Sequence, residues 1–193
     1  MGAGPIAKSY CTLAPGHPFH GPYHEREYGF PVSDESALFE RLALEINQAG
    51  LSWVTVLQKR AAFRAAFKGF DVDTVAAFGT RDVNRLLKDA AIIRNRLKIE
   101  SVIENAQRIQ GLRETHGSFA EWIASHHPLG KAEWVKLFRT NFRFMGGEIV
   151  GEFLMSIGYL PGAHGPACPV YERIAKLKPA WMAKQSTRAV DSL

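Results

Sequence analysis

Apolar residues recur along most of this chain at three- and four-residue spacing, the repeat of a helix face packed on a core. Asp34 or Ser33 is placed to cap a helix that runs to about Ala49 and ends at Gly50. Ser52 can cap the next, which runs to about Lys68 and ends at Gly69. Asp71 and Thr80 each follow with a cap signal and a short apolar-periodic stretch. A long helix is expected over about Arg94 to Thr115, with Ile99, Val102, Ile103, Ala106 and Ile109 on one face. Shorter ones are expected over about Ala132 to Thr140 and Gly147 to Ile157. No stretch alternates with period two for long enough to make a strand, so the expected fold class is all-α.

Two parts break the pattern. The first thirty-odd residues are rich in proline and glycine, and Leu160 to Pro169 is a loop by composition. Beyond Lys176 the chain turns polar. The expected organisation is one helical domain over residues 1–175 and a poorly ordered tail over 176–193.

The 193 residues suit a single core, and a chain of that size buries roughly 70% of its unfolded surface without staples. No apolar run reaches the roughly 18 residues of a membrane span. The start has neither an apolar h-region nor a myristoylation pattern, since Ile6 stands where Ser or Thr is required. The expectation is a soluble, cytoplasmic protein. With 24 Lys and Arg against 19 Asp and Glu, the net charge of +5 permits an anionic partner without requiring one.

Three local features carry chemistry. Both cysteines lie in the irregular segments and each has a histidine nearby: Cys11 with His24, and Cys168 with His164. Two thiolates and two imidazoles make a closed tetrahedral zinc set. Two buried thiols or one disulfide are the alternatives, and His17, His20, His126 and His127 are rival ligands. Second, stepping ~100° per residue from Asp34 puts Leu38, Leu42, Ile46 and Ala49 on one stripe, with Glu45 at its edge and Glu40 on the far side. A carboxylate facing the interior is costly unless paired, so Glu45 either meets Arg41, Arg64 or water, or stands in a pocket. With Tyr23, Tyr28 and Trp53 nearby in sequence, the pocket reading describes a site for a flat, electron-poor, hydrogen-bond-donating ligand. Third, Arg94, Arg96 and Lys98 crowd a helix start, where cations oppose the macrodipole. That placement suits either a bound phosphate or a solvated basic face.

Taken together, Tyr23 to Pro31, Leu44 to Trp53 with its Glu-x-x-Gln-Ala-Gly-Leu-Ser-Trp block, Ile92 to Ile99, and Phe142 to Gly146 resemble the DNA-3-methyladenine glycosylase I family of helix-hairpin-helix glycosylases. The similarity runs from about Cys11 to Cys168. It implies a helical glycosylase domain whose N-terminal arm and C-terminal loop are tied by one structural Zn2+ on Cys11, His24, His164 and Cys168. It implies that Glu45 recognises the excised base and is the candidate catalytic residue, with Tyr23, Trp53 and Tyr28 forming the base pocket. Gly50 and Leu51 would plug the duplex where the base has left, and the hairpin with Arg94, Asn95, Arg96 and Lys98 would grip phosphate. The implied activity is monofunctional hydrolysis of the N-glycosidic bond of 3-methyladenine after base flipping. The implied partner is double-stranded DNA containing alkylated bases, the product free 3-methyladenine, and the enzyme a monomer. The chain also departs from the family pattern. Ala91 stands for a hairpin Gly, Glu25 for Asp and Tyr28 for Trp, and Leu13 and His20 replace pocket aromatics. Gly147-Glu148 is unusual, and Glu148 and Glu152 are acids that the family segment lacks. These departures motivate a rival reading, a zinc-stabilised DNA- or ligand-binding domain on the same scaffold.

Overall fold

The computed structural model describes residues 9–183. Eleven α-helices follow one another among these residues: α1 (Tyr10–Leu13), α2 (His20–Arg26), α3 (Glu35–Gln48), α4 (Trp53–Ala66), α5 (Val72–Ala76), α6 (Thr80–Lys88), α7 (Arg96–His116), α8 (Phe119–Ser125), α9 (Lys131–Asn141), α10 (Gly147–Ser156) and α11 (Pro169–Lys176). No strand occurs among the described residues, and the all-α expectation holds.

The caps explain most of the boundaries. Asp34 accepts from the Ala37 amide at 2.8 Å, Asp71 from Thr74 at 2.8 Å and Ser118 from Glu121 at 3.1 Å, each satisfying a free N–H of a first turn. Two expected starts shift. The cap of α6 is Gly79 rather than Thr80, because Asp82 reaches back to the Gly79 amide. The start of α7 is Arg96 rather than Arg94, because the Asn95 side chain caps it on the Lys98 amide at 3.2 Å. Helix α4 stops at Ala66, before Lys68, and the chain turns through Gly69 at φ 70°. Helices α1, α2, α8 and α11 were not expected. They are short, and their stability comes from packing rather than from a long apolar period.

Helix α3 lies at the centre, packed against α4, α5, α7, α8 and α10, and every residue from Leu38 to Asn47 is buried. Phe119, Trp122, Phe138, Phe142 and Phe153 fill the space between α8, α9 and α10. Glu40, expected on the outer side of α3, is buried instead, paired with Arg60 of α4 at 2.8 Å. With neighbours on several sides, α3 has no outer side at that level. Arg41 donates to the carbonyls of Glu27 at 2.8 Å and Ser156 at 2.7 Å, tying the ends of α2 and α10 to α3.

Of the segment expected to fray, residues up to Ala183 are described. They include a 3-10 turn over Ala180–Met182, and the Trp181 amide donates to the Gly158 carbonyl at 3.2 Å. Residues 184–193 lie outside the described residues. No helix among the described residues is long and apolar enough to cross a membrane.

Candidate functional site

A cavity of about 720 Å³ opens between α1, α2, α3, the start of α4 and α10. Helix α3 delivers Glu45 to its wall, and Glu45 is 4% exposed. No hydrogen bond to the Glu45 carboxylate is found among the described residues. Neither expected arginine pairs with it: Arg41 is held by backbone carbonyls and Glu27, and Arg64 lies near Glu40 at 3.6 Å. Burial first, then the charge of Glu152, push its carboxyl well above the usual range, and Arg41 pulls it partly back.

The aromatic wall is built by α2 and α4. Tyr23 meets Trp53 edge to face at 5.2 Å and lies 5.7 Å from Tyr28. The Arg41 guanidinium sits 5.7 Å from the Tyr23 ring centroid and fixes it from behind. Tyr10 was missed in the sequence. Its ring meets Tyr28 at 5.5 Å and its hydroxyl lies 3.2 Å from His20 Nδ1, so it completes the wall. Its only signal was its place beside Cys11. Leu13 and His20 also line the cavity. From α10 come Glu148, Ile149 and Glu152, and the Tyr28 hydroxyl donates to Glu152 at 2.9 Å.

At the cavity mouth the chain turns just past α3 at Gly50, whose φ of 77° suits a residue without a side chain, and Leu51 is left 40% exposed. Arg94 and Arg96 are exposed at the start of α7 as expected, although Arg96 also pairs with Glu100 at 3.2 Å. Lys98 is different. It is buried and donates to the carbonyls of Asn47 at 2.8 Å and Ala49 at 2.6 Å. It therefore stitches α7 to the free carbonyl end of α3 and places the basic turn beside Gly50 and Leu51, instead of facing solvent. The Asn95 side chain is likewise occupied as the α7 cap. Ala91 does not have a positive φ, so its methyl brings no backbone strain. Its amide is taken by Asp89 at 2.9 Å, and its carbonyl by Lys59 at 3.0 Å.

Behind the pocket, ligand atoms of Cys11, His24, His164 and Cys168 all lie within 4.8 Å of one another. Cys168 Sγ is 3.6 Å from His24 Nε2 and 3.5 Å from His164 Nδ1, and Cys11 Sγ is 3.7 Å from His164 Nδ1. A tetrahedral ion with Zn–S of about 2.3 Å and Zn–N of about 2.0–2.1 Å requires sulfur–nitrogen edges of about 3.6 Å. The four residues thus fit such an ion, and both cysteines are free thiols, not a disulfide. His164 turns its other nitrogen to the Tyr28 carbonyl at 2.8 Å, the kind of outer contact that orients a ligating imidazole. Gly29 permits the packing here: at φ 85° a Cβ would come within 2.8 Å of Ala163 and 3.3 Å of His164. His17, His20, His126 and His127 are not in the cluster.

An open aromatic and acidic cavity beside a basic hairpin, on a scaffold without strands among the described residues, is the arrangement of a helical glycosylase fold. The methyladenine glycosylase family pattern matches residues 14–136. The chain is 35% identical to DNA-3-methyladenine glycosylase 1 of Escherichia coli (strain K12), over 83% of this chain and 96% of the relative. It is 32% identical to DNA-3-methyladenine glycosylase of Haemophilus influenzae, over 76% and 89%. Its structure is similar to a crystal structure of 3-methyladenine DNA glycosylase I, with TM-score 0.74 and 32% identity over 83% of this chain and 98% of that one. It is also similar to the Staphylococcus aureus enzyme in a study of 3-methyladenine recognition, with TM-score 0.73 and 29% identity over 83% and 95%. This chain belongs to the methyladenine glycosylase family.

Proposed function

We propose that the protein is a monofunctional DNA glycosylase that releases 3-methyladenine from double-stranded DNA in base excision repair. The observation that carries this reading is Glu45, buried and unpaired at the wall of an aromatic cavity. Burying an unpartnered carboxylate is costly, and an arriving cation with a donor offsets that cost. N3-methylation makes adenine cationic and a good leaving group. Neutral adenine brings no such charge, so the same buried acid discriminates against it.

In this reading the damaged nucleotide flips out of the stack, at a cost of a few kcal/mol, and its base enters the cavity. Leu51, exposed beside the mouth, takes its place in the duplex, while Arg94 and Arg96 hold phosphate. Tyr23 and Trp53 receive the cationic ring, where desolvated cation–π contact is worth about 2 kcal/mol. Glu45 accepts from the exocyclic amine, and water attacks the sugar as the glycosidic bond breaks. Lys98 takes no phosphate contact here; it holds the Gly50–Leu51 turn in register with the hairpin.

The cysteine and histidine cluster is the site of one structural Zn2+. With all four positions filled by protein, the ion supplies folding energy and no open position for chemistry. It would fasten α1 and α2, which carry Tyr10 and Tyr23, to the loop before α11. The enzyme acts as a cytoplasmic monomer.

Mass-spectrometric identification of bases released from methylated duplex DNA tests the activity. Free 3-methyladenine is the expected product. Tight duplex binding without base release would favour the rival binding-domain reading. Elemental analysis of purified protein should find about one zinc per chain, and its absence defeats the metal assignment.

A further inference from the structure

The Gly50–Leu51 turn is flanked by two helices, and a lysine ties each of them to the basic hairpin region. Lys98 reaches from α7 to the carbonyl end of α3, on the near side of the turn. Lys59 closes the far side. It stands on α4, which begins two residues after Leu51, and its ammonium donates to the hairpin carbonyls of Ala91 at 3.0 Å and Ala90 at 3.4 Å. The contact spans 32 positions of chain and carries no local sequence signal.

The two lysines differ in what they leave over. Lys98 is buried, and its place among the α3 carbonyls is inward. Lys59 is half-buried, and no carboxylate pairs with it among the described residues. An ammonium has three N–H donors, and the hairpin carbonyls use two. Carbonyl oxygens hold a cation without cancelling its charge, so Lys59 keeps one donor and a full positive charge at the turn. The turn has a use for both. The Asp89 carboxylate accepts from the Ala91 amide at 2.9 Å, which places an acid on the same residue whose carbonyl Lys59 holds. Alone, that acid would repel a phosphate; the ammonium beside it offsets the repulsion. The amides of Ile93 and Arg94, further along the turn, have no acceptor among the described residues. Free amides and a cation together make an anion-binding concavity, where a phosphate takes charge-assisted hydrogen bonds. We infer that Lys59 is a DNA-contacting residue of the hairpin supplied from another helix: its free N–H binds a phosphate of the duplex, while the other two hold the turn that receives it. Since α4 starts just past Leu51, the same side chain keeps the phosphate grip and the exposed leucine in register.

This inference rests on the reading of the protein as a DNA glycosylase, and its test needs no base release. The full chain is titrated onto a fluorescein-labelled duplex with an abasic-site analogue at its centre, over salt from about 50 to 200 mM. Each phosphate neutralised adds about 0.9 to the slope of log affinity against log salt. Lys59→Gln keeps a donor for the carbonyls and removes the charge. Its slope should be shallower than the wild type's by about 0.9, with affinity at the low-salt end down about threefold or more. Lys59→Arg keeps the charge and should keep the wild-type slope. A wild-type slope in Lys59→Gln overturns the proposal, even where affinity falls by one factor at every salt, the mark of a purely structural brace. A slope that falls as far in Lys59→Arg overturns it too, because the charge is then not what the slope reads. A wild type that binds no duplex overturns it together with the DNA reading. A wild type that binds duplex but releases no base defeats only the activity reading, and the slopes still decide Lys59.

Discussion

Two glutamates on one helix have opposite fates. Glu40 and Glu45 of α3 are 2% and 4% exposed, five residues apart. Glu40 accepts from Arg60 through two nitrogens, at 2.8 and 3.3 Å, and Arg60 also reaches Glu27 at 2.7 Å. Glu45 faces a cavity, with no partner among the described residues. The first is a closed ion cluster that locks α3 to α4. The second leaves its acceptors open for something that arrives. The lesson is that burial of an acid says little until its partners are counted, and that an unpaired one is the better marker of a site.

Substitutions can break this contrast, and the largest effect is expected at the open acid. Glu45→Gln removes the charge and keeps the shape, so release of 3-methyladenine should fall about 100-fold or more, roughly 3 kcal/mol of transition-state stabilisation. The variant should keep the native fold and the wild-type metal content. Wild-type activity in this variant would sink the assignment. Glu40→Gln should do the reverse. Arg60 keeps Glu27, so the loss is about 2 kcal/mol of stability, a fall of about 4–8 °C in Tm, with base release near wild type at a temperature where both are folded. A larger effect on catalysis than on Tm would erase the distinction between the two acids.

The smallest effect lies in pH. Folding raises the Glu45 pKa, so the native state holds its proton more tightly than the unfolded chain does. Below the unfolded value of about 4.3 that proton is bound in both states, and burial of the side chain carries no charge penalty. As pH rises from there, stability is lost until the raised native value is passed, and then the loss stops growing. Glu45→Gln cannot lose a proton. Its Tm should therefore match the wild type near pH 4.5 and exceed it by a few degrees at pH 8. A gap of the same size at both pH values would mean that the acid is not buried in its charged form.

Much of the scaffold was legible. The cores of α3, α4, α7, α9 and α10 followed from apolar period, and Asp34, Ser52 and Asp71 announced their caps through chemistry that acts within one turn. The four metal-binding candidates were legible as residue types in two irregular segments, and the fold brings them together. The misreadings share a cause. Lys98 looked like one more phosphate ligand in a basic run, yet its ammonium meets the carbonyl end of α3, some fifty residues earlier. Glu40 looked solvent-facing because helical period describes one packed face, and α3 has several. Tyr10 carried no periodic signal, because its place follows from that of its neighbour Cys11.

The sequence by itself determined seven of the eleven helical segments among the described residues, where most of those seven begin, and which residue types carry acid, base, ring and thiol, because those properties depend on neighbours within a few positions. Only the tertiary structure decided that Glu45 is unpaired and Glu40 is not, that Lys98 turns inward, and that Glu152 meets Tyr28 across 124 positions of chain. The physical reason is that the cost of a buried charge is set by groups within a few ångströms. For these residues, those groups come from other helices.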